Sequence, residues 1–247
     1  MKTIFTRILS LLLLCTSAAN SQNPIDSLEK RLQEKNLADS SRLKILYQVS
    51  REYTFNAPEK ALKSIDETIA LAQKLKKQKT VADALSLKGK VLKNNGDFKK
   101  AIETHLQALK IKENIKDTLG QSISNNDIGV VYKSLKSYHE AMKYYRKSNE
   151  LANLVNYGKG ISNTLNNIGT SFFELRNIDS AIYYYNKALT KSLQINDPNC
   201  LSTTYNNLGN IYGYNDKPDL ALGYYLKCLE INKSQQDAYG MTNSLLK

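Results

Sequence analysis

Four glycines, Gly89, Gly129, Gly169 and Gly209, stand 40 residues apart. Five alanines keep the same beat: Ala61, Ala101, Ala141, Ala181 and Ala221. A third series of small residues runs Ala108, Ser148, Ala188 and Cys228. Aromatic residues fall on the same grid, with Tyr132, Phe172 and Tyr212 three positions after a glycine and tyrosine pairs at 144–145, 184–185 and 224–225. A period of this length, held in phase over most of a chain, calls for a stack of repeated supersecondary units rather than one closed core.

Each period reads as two helices. In the fourth, Ile161, Leu165, Ile168 and Phe172 follow the 4-3-4 spacing of an amphipathic helix. After Arg176-Asn177 a second stripe follows, Ile178, Ile182, Tyr185 and Leu189, flanked by Ala181 and Ala188. Asp197-Pro198 offers an N-cap and a first-turn proline to the next helix, and Asp97 after Asn94-Asn95-Gly96 offers a cap within the second period. A glycine inside a helix costs about 1 kcal/mol relative to alanine. Four in phase predict a steric reason, read here as close crossing by the second helix through its alanine.

These residues resemble the tetratricopeptide repeat. In the fourth period the matching set is Leu165, Gly169, Phe172, Ala181, Tyr185 and Ala188; in the fifth it is Tyr205, Gly209, Tyr212, Ala221, Tyr225 and Cys228. The resemblance implies an all-α, right-handed superhelical solenoid of antiparallel helical hairpins. It divides the chain into a capping helix over 22–39 and repeats over 40–79, 80–119, 120–159, 160–199 and 200–239, with 240–247 starting a sixth. The 40-residue period is longer than the family's usual 34, and the first repeat is degenerate, with Val49 in the glycine slot. The next glycine would fall at 249, so the chain reads as cut short, with a membrane-anchored continuation beyond Lys247 as the corresponding expectation.

Residues 1–21 are set apart from this pattern. Lys2 and Arg7 precede the apolar run Ile8 to Cys15 and the small residues Thr16 to Ala19, the layout of a secretory signal peptide with cleavage after Ala19 or Ser21. Leu14 stands where a small residue would precede a lipidated Cys15. The apolar run is far short of the ~20 residues that span a bilayer, so no membrane span is expected in this chain. An exported, periplasmic or cell-surface protein follows, or a cytoplasmic one if the leader stays uncleaved.

The net charge of +12 at first suggests a nucleic-acid or anionic-surface partner. It is concentrated: residues 74–116 hold twelve lysines against Asp83, Asp97, Glu103 and Glu113. That stretch has no arginine for bidentate phosphate contacts, and its Phe98 fits a packing slot, so it reads as a solvated lysine face rather than a nucleic-acid surface. An acidic peptide or anionic surface is the second reading. Catalysis finds no set of residues either. His105 occupies an aromatic core slot, and His139 starts a second helix in another repeat. Gly158-Lys159-Gly160 is read as lying between helices, without the third glycine or preceding strand of a dinucleotide loop. Cys200 and Cys228 fall in one hairpin, with burial the default for Cys228 and a disulfide open as an alternative. Neither cofactor nor metal is expected.

The most informative polar feature is a column of asparagines. Asn126, Asn166 and Asn206 recur three positions before a glycine, each followed in turn by Asp127, Asn167 and Asn207. Tetratricopeptide solenoids line a concave groove with their first helices, and the resemblance implies that this column faces it. A similar ladder in kinesin light chain repeats, which Leu165-Asn166-Asn167-Ile168-Gly169 resembles locally, holds a peptide backbone. A carboxamide donates and accepts at once, so it can pair with any peptide unit. With helices 8–10 Å apart and an extended chain advancing about 3.3 Å per residue, one amide would meet roughly every third residue. Asn163, Thr170 and Asn210 are secondary candidates for the same lining. The competing reading is that the amides bond neighbouring helices and fix the stacking.

The expected function is therefore a non-catalytic scaffold for a protein or peptide segment. The resemblance further implies a sensory region of a bacterial histidine kinase or regulator, with a free-standing periplasmic or surface adaptor as alternative and an RNA-binding solenoid behind both.

Overall fold

The computed structural model describes residues 24–235. The leader expected over 1–21 and the sixth repeat expected over 240–247 lie outside the described residues. Eleven helices follow one another along the described residues. A short α1 (Pro24–Leu32) precedes five hairpins: α2 (Asp39–Asn56) with α3 (Pro58–Lys74), α4 (Gln78–Asn94) with α5 (Phe98–Asn114), α6 (Thr118–Ser134) with α7 (Tyr138–Leu154), α8 (Gly158–Glu174) with α9 (Ile178–Ile195), and α10 (Pro198–Tyr214) with α11 (Pro218–Ser234).

Curvature follows from which helices touch. Each first helix contacts the first helix of the next hairpin, α2 with α4, α4 with α6, α6 with α8 and α8 with α10, while successive second helices make no comparable contact. The first helices therefore form the tight inner row and the second helices the splayed outer row of an all-α solenoid. The core lies between the rows. Side chains such as Ile65, Ile128, Ile168 and Leu208 are completely or almost completely buried there, each contributing about 1.5–3 kcal/mol. Ile25 and the half-buried Leu28 and Leu32 lay α1 over the first hairpin, closing that end of the core.

The 40-residue beat resolves into a 20-residue one. Left-handed backbone occurs at positions 76, 96, 116, 136, 156, 176, 196 and 216, one in each connection from the end of α3 onward, and Gly96 is the only glycine among them. In seven of these connections the next residue's N–H reaches back five positions, as from Lys77 to Ala72 or Asp117 to Lys112, the bond that closes a helix C-terminus before the chain reverses. Asp97, Asp117, Asn177 and Asp197 then cap the following helices by accepting from the backbone three residues on.

The glycine column has a different cause from the one its spacing suggested. A Cβ on Gly89, Gly129 or Gly169 would lie 2.5–2.7 Å from the ring of His105, Tyr145 or Tyr185, and Gly209 meets Tyr225 in the same way. The aromatic ring sixteen residues after each glycine is the group the glycine chiefly admits, with the Ala181 carbonyl oxygen next, at 3.3 Å, for Gly169. The alanines are fully or almost fully buried beside it. A second aromatic ladder stacks Tyr132 on Tyr144, Phe172 on Tyr184 and Tyr212 on Tyr224, with centroids 5.4–5.5 Å apart. Gly158-Lys159-Gly160 is also corrected: it forms the first turn of α8, not a loop, with Gly160 against the Tyr157 ring and Gly158 against Ile195.

Candidate functional site: the concave face

The asparagine column lies on the inner row, and its amides reach across repeats. Asn167 Nδ2 donates to Asn126 Oδ1 at 2.9 Å, and Asn207 Nδ2 donates to Asn166 Oδ1 at 3.1 Å. The second amide of one repeat thus bonds the first amide of the repeat before it. Asn166 also donates to Thr204 Oγ1 at 2.8 Å and to the Ser162 carbonyl at 3.3 Å. It is only 3% exposed, so the stacking reading describes Asn166: its amide fastens α8 to α10 beneath the surface. Its neighbours differ. Asn126, Asn167, Asn206 and Asn207 are half-buried. Asn126 Nδ2 and the Oδ1 atoms of Asn167 and Asn207 have no bonding partner among the described residues.

The secondary candidates are tied into the same layer. Thr170 accepts from Tyr185 Oη at 3.2 Å, and Asn210 accepts from Tyr225 Oη at 2.9 Å. Asn163 Oδ1 accepts a long contact, 3.6 Å, from Cys200 Sγ. Below them Ser162, Ser192 and Thr204 form a buried hydroxyl chain, 2.6 and 3.4 Å long. Sequence reasoning missed these tyrosine and serine partners, although each occupies a repeated slot and was visible as such.

Asp127 stands where Asn167 and Asn207 stand, and it changes the chemistry around repeats two and three. Lys90 Nζ lies 3.3 Å from Asp127 Oδ2, at ion-pair distance but off the line of a hydrogen bond. Lys112, 1% exposed, donates to Ser86 and Ser124 at 3.0 and 3.1 Å and lies 3.5 Å from Asp83. Burial pulls its ammonium below the ordinary lysine range, against the attraction of Asp83 and Asp127. His105, in the slot that holds tyrosine elsewhere, is pushed down from 6.5 to about 4, first by burial and then by Lys90, Lys112 and Lys93, with Asp127 opposing. Neither His105 Nδ1 nor Tyr145 Oη has a partner among the described residues; the residue that would answer Tyr145, by analogy with Thr170 and Asn210, is Val130.

The lysine-rich stretch is less free than its count suggested. Lys74, Lys79, Lys88, Lys90, Lys100 and Lys112 pair with carboxylates, and the partners of four of them, Asp39, Asp117, Asp66 and Asp127, lie outside residues 74–116. Three of these pairs, from Lys79, Lys88 and Lys90, tie one hairpin to the next. Cys200 and Cys228 are both buried thiols, facing Asn163 and Ser202 respectively, and no disulfide joins them. Burial pushes the Cys200 thiol up to about 11. Among the described residues no group of three His, Cys, Asp or Glu is placed to hold a metal ion, and no helix is long and apolar enough to cross a membrane.

This arrangement of inner amides, glycine-seated rings and small-residue slots coincides with a known family. The tetratricopeptide repeat model matches residues 80–153 and 160–234. The chain belongs to the tetratricopeptide repeat family. Over 68 residues it is 32% identical to mouse Tonsoku-like protein, a match that spans 28% of this chain and 5% of that protein. Several solved repeat proteins share its fold. BtubC from P. vanneervenii superposes with a TM-score of 0.68 at 18% identity, covering 87% of this chain and 89% of BtubC. A Rap protein complexed with competence and sporulation factor gives 0.68 at 12% identity, covering 90% and 67%. A signal transduction ATPase with a tetratricopeptide repeat sensor, from Pyrococcus horikoshii, gives 0.64 at 15%, covering 90% and 38%. At these identities the likeness concerns the fold.

Proposed function

We propose that this chain is a non-catalytic scaffold that takes an extended polypeptide segment along its concave face, over repeats three to five. The observation that carries this reading is the division of labour within the amide ladder: the cross-repeat bonds and the buried Asn166 fix the spacing, and the half-buried Asn126, Asn167 and Asn207 retain polar atoms with no partner among the described residues. Such atoms recognise peptide units without regard to side chain. The ladder's own bonds hold them in place, which lowers the ordering entropy that binding must offset. The solved complex of a structurally similar Rap protein with competence and sporulation factor supports the reading.

The test is capture of peptides from a random displayed library by the purified chain. Asn126→Ala, Asn167→Ala and Asn207→Ala combined should abolish capture while circular dichroism stays unchanged; undiminished capture by the folded triple variant refutes the groove. We further propose export, on the leader-like residues 1–21, and a sensory role, in keeping with the repeat sensor of the Pyrococcus protein. Mature protein starting near residues 20–22 in a periplasmic fraction supports export, and an intact Met1 in the cytosol overturns it.

A further inference from the structure

The outer row carries a second repeated feature, independent of the concave face. Because successive second helices splay, a gap opens between them on the convex side, above the first helix. One such gap, about 550 Å³, lies over α4 between α3 and α5; another, about 480 Å³, lies over α8 between α7 and α9. Their linings use the same slots two repeats apart. Val81 and Leu85 floor the first, and Ile161 and Leu165, 80 residues on, floor the second.

The alternate gaps carry different side chains at those slots. Over α6, Asn125 replaces the floor leucine and donates to the Gln121 carbonyl, and Leu151 stands where the open grooves have Ile111 and Lys191. Over α10, Tyr205 occupies the leucine slot, packed 6.0 Å from Tyr224 with Lys227 above it. The open grooves are rimmed by lysines. The first has Lys110 and Lys88, the latter bridged to Asp66 at 2.6 Å. The second has Lys187 and Lys191 among Asn149, Asn153 and Gln194, with no carboxylate in its lining.

An apolar floor under a cationic rim selects a ligand that is apolar at its point of insertion and anionic around it. We propose that the convex grooves over α4 and α8 form a second docking surface, for an acidic polypeptide segment that inserts apolar side chains between the outer helices. The groove over α8, with no carboxylate of its own, is the stronger of the two.

The probe is a short fluorescent peptide with leucines on a glutamate background, titrated against the whole chain by anisotropy. Saturable binding is expected, weakened about tenfold or more by Lys187→Glu with Lys191→Glu, and likewise by Leu165→Asn, which copies the slot over α6. Replacing the peptide's glutamates by lysine or its leucines by serine should weaken binding as much. Asn167→Ala with Asn207→Ala should leave it unchanged, which separates this surface from the concave one. Should Leu165→Asn unfold, the two surface charge reversals carry the test alone. The proposal fails if the peptide does not bind, if the charge reversals leave binding intact, or if the concave substitutions abolish it. It also fails if phosphatidylserine vesicles bind the chain through the same lysines while the peptide does not.

Discussion

The junction between repeats two and three and the junction between repeats four and five occupy the same slots with opposite chemistry. At the later junction the inner layer is neutral: Asn207 bonds Asn166, Asn166 bonds Thr204, and Tyr185 bonds Thr170, while the charged pair Lys159–Asp197 lies apart at the helix N-termini. At the earlier one Lys112, Asp83, Lys90 and Asp127 form a partly buried charged set, and His105 and Tyr145 each leave a polar atom unanswered. The solenoid geometry is the same in both. Stacking in this fold is therefore set by the glycine-seated rings and the apolar core, and polar chemistry adjusts the strength and pH response of each joint.

The largest expected difference is in acid. Above pH 6.5 His105 is neutral in the folded and unfolded chain alike. As pH falls from 6.5 towards about 4 the unfolded chain takes up the proton and the folded one resists, so stability declines across that window by on the order of 3 kcal/mol. Denaturant titrations at a series of pH values measure this, and His105→Tyr, which installs the ring of the other repeats, should remove that part of the slope. An unchanged slope would show that the earlier junction is not the acid-sensitive one.

Next in size is the buried amide. Asn166→Ala leaves Asn207 and Thr204 without their partner and should destabilise by about 2 kcal/mol, whereas Asn126→Ala, at a half-buried position, should fall below about 1 kcal/mol. Thermal unfolding of the pair distinguishes them. A finer contrast comes from the tyrosines. Tyr185→Phe loses a hydrogen bond and should be destabilising by about 1 kcal/mol, while Tyr145→Phe, removing a hydroxyl without a partner, should be neutral or stabilising. Equal losses would mean that the two junctions are equally satisfied. Smallest of all, Lys136→Gly relieves a left-handed residue at φ 57° and should raise stability by less than about 1 kcal/mol.

The periodicity made the hairpins, the family and the aromatic slot of His105 legible, because burial on a repeating face leaves a repeating residue pattern. What the glycine admits was not legible: spacing places Gly169 near both Ala181 and Tyr185, and only coordinates show which approaches its Cβ position. The asparagines were legible as a column, but not their division of labour. Asn166 and Asn167 are adjacent in sequence and lie 100° apart around the helix, so one faces the next repeat and the other the preceding one. Lys112 was hidden for a related reason, since nothing in a lysine-rich stretch marks the member whose slot holds Ala152 and Ser192 in later repeats.

The concave amides admit the most direct test. With the chain labelled with nitrogen-15, side-chain carboxamide resonances can be followed while a library-selected peptide is added. The account predicts that Asn126, Asn167 and Asn207 shift together and saturate with the peptide, while the buried Asn166 stays nearly still. Shifts absent from those three residues, under conditions where the peptide is bound, would contradict it.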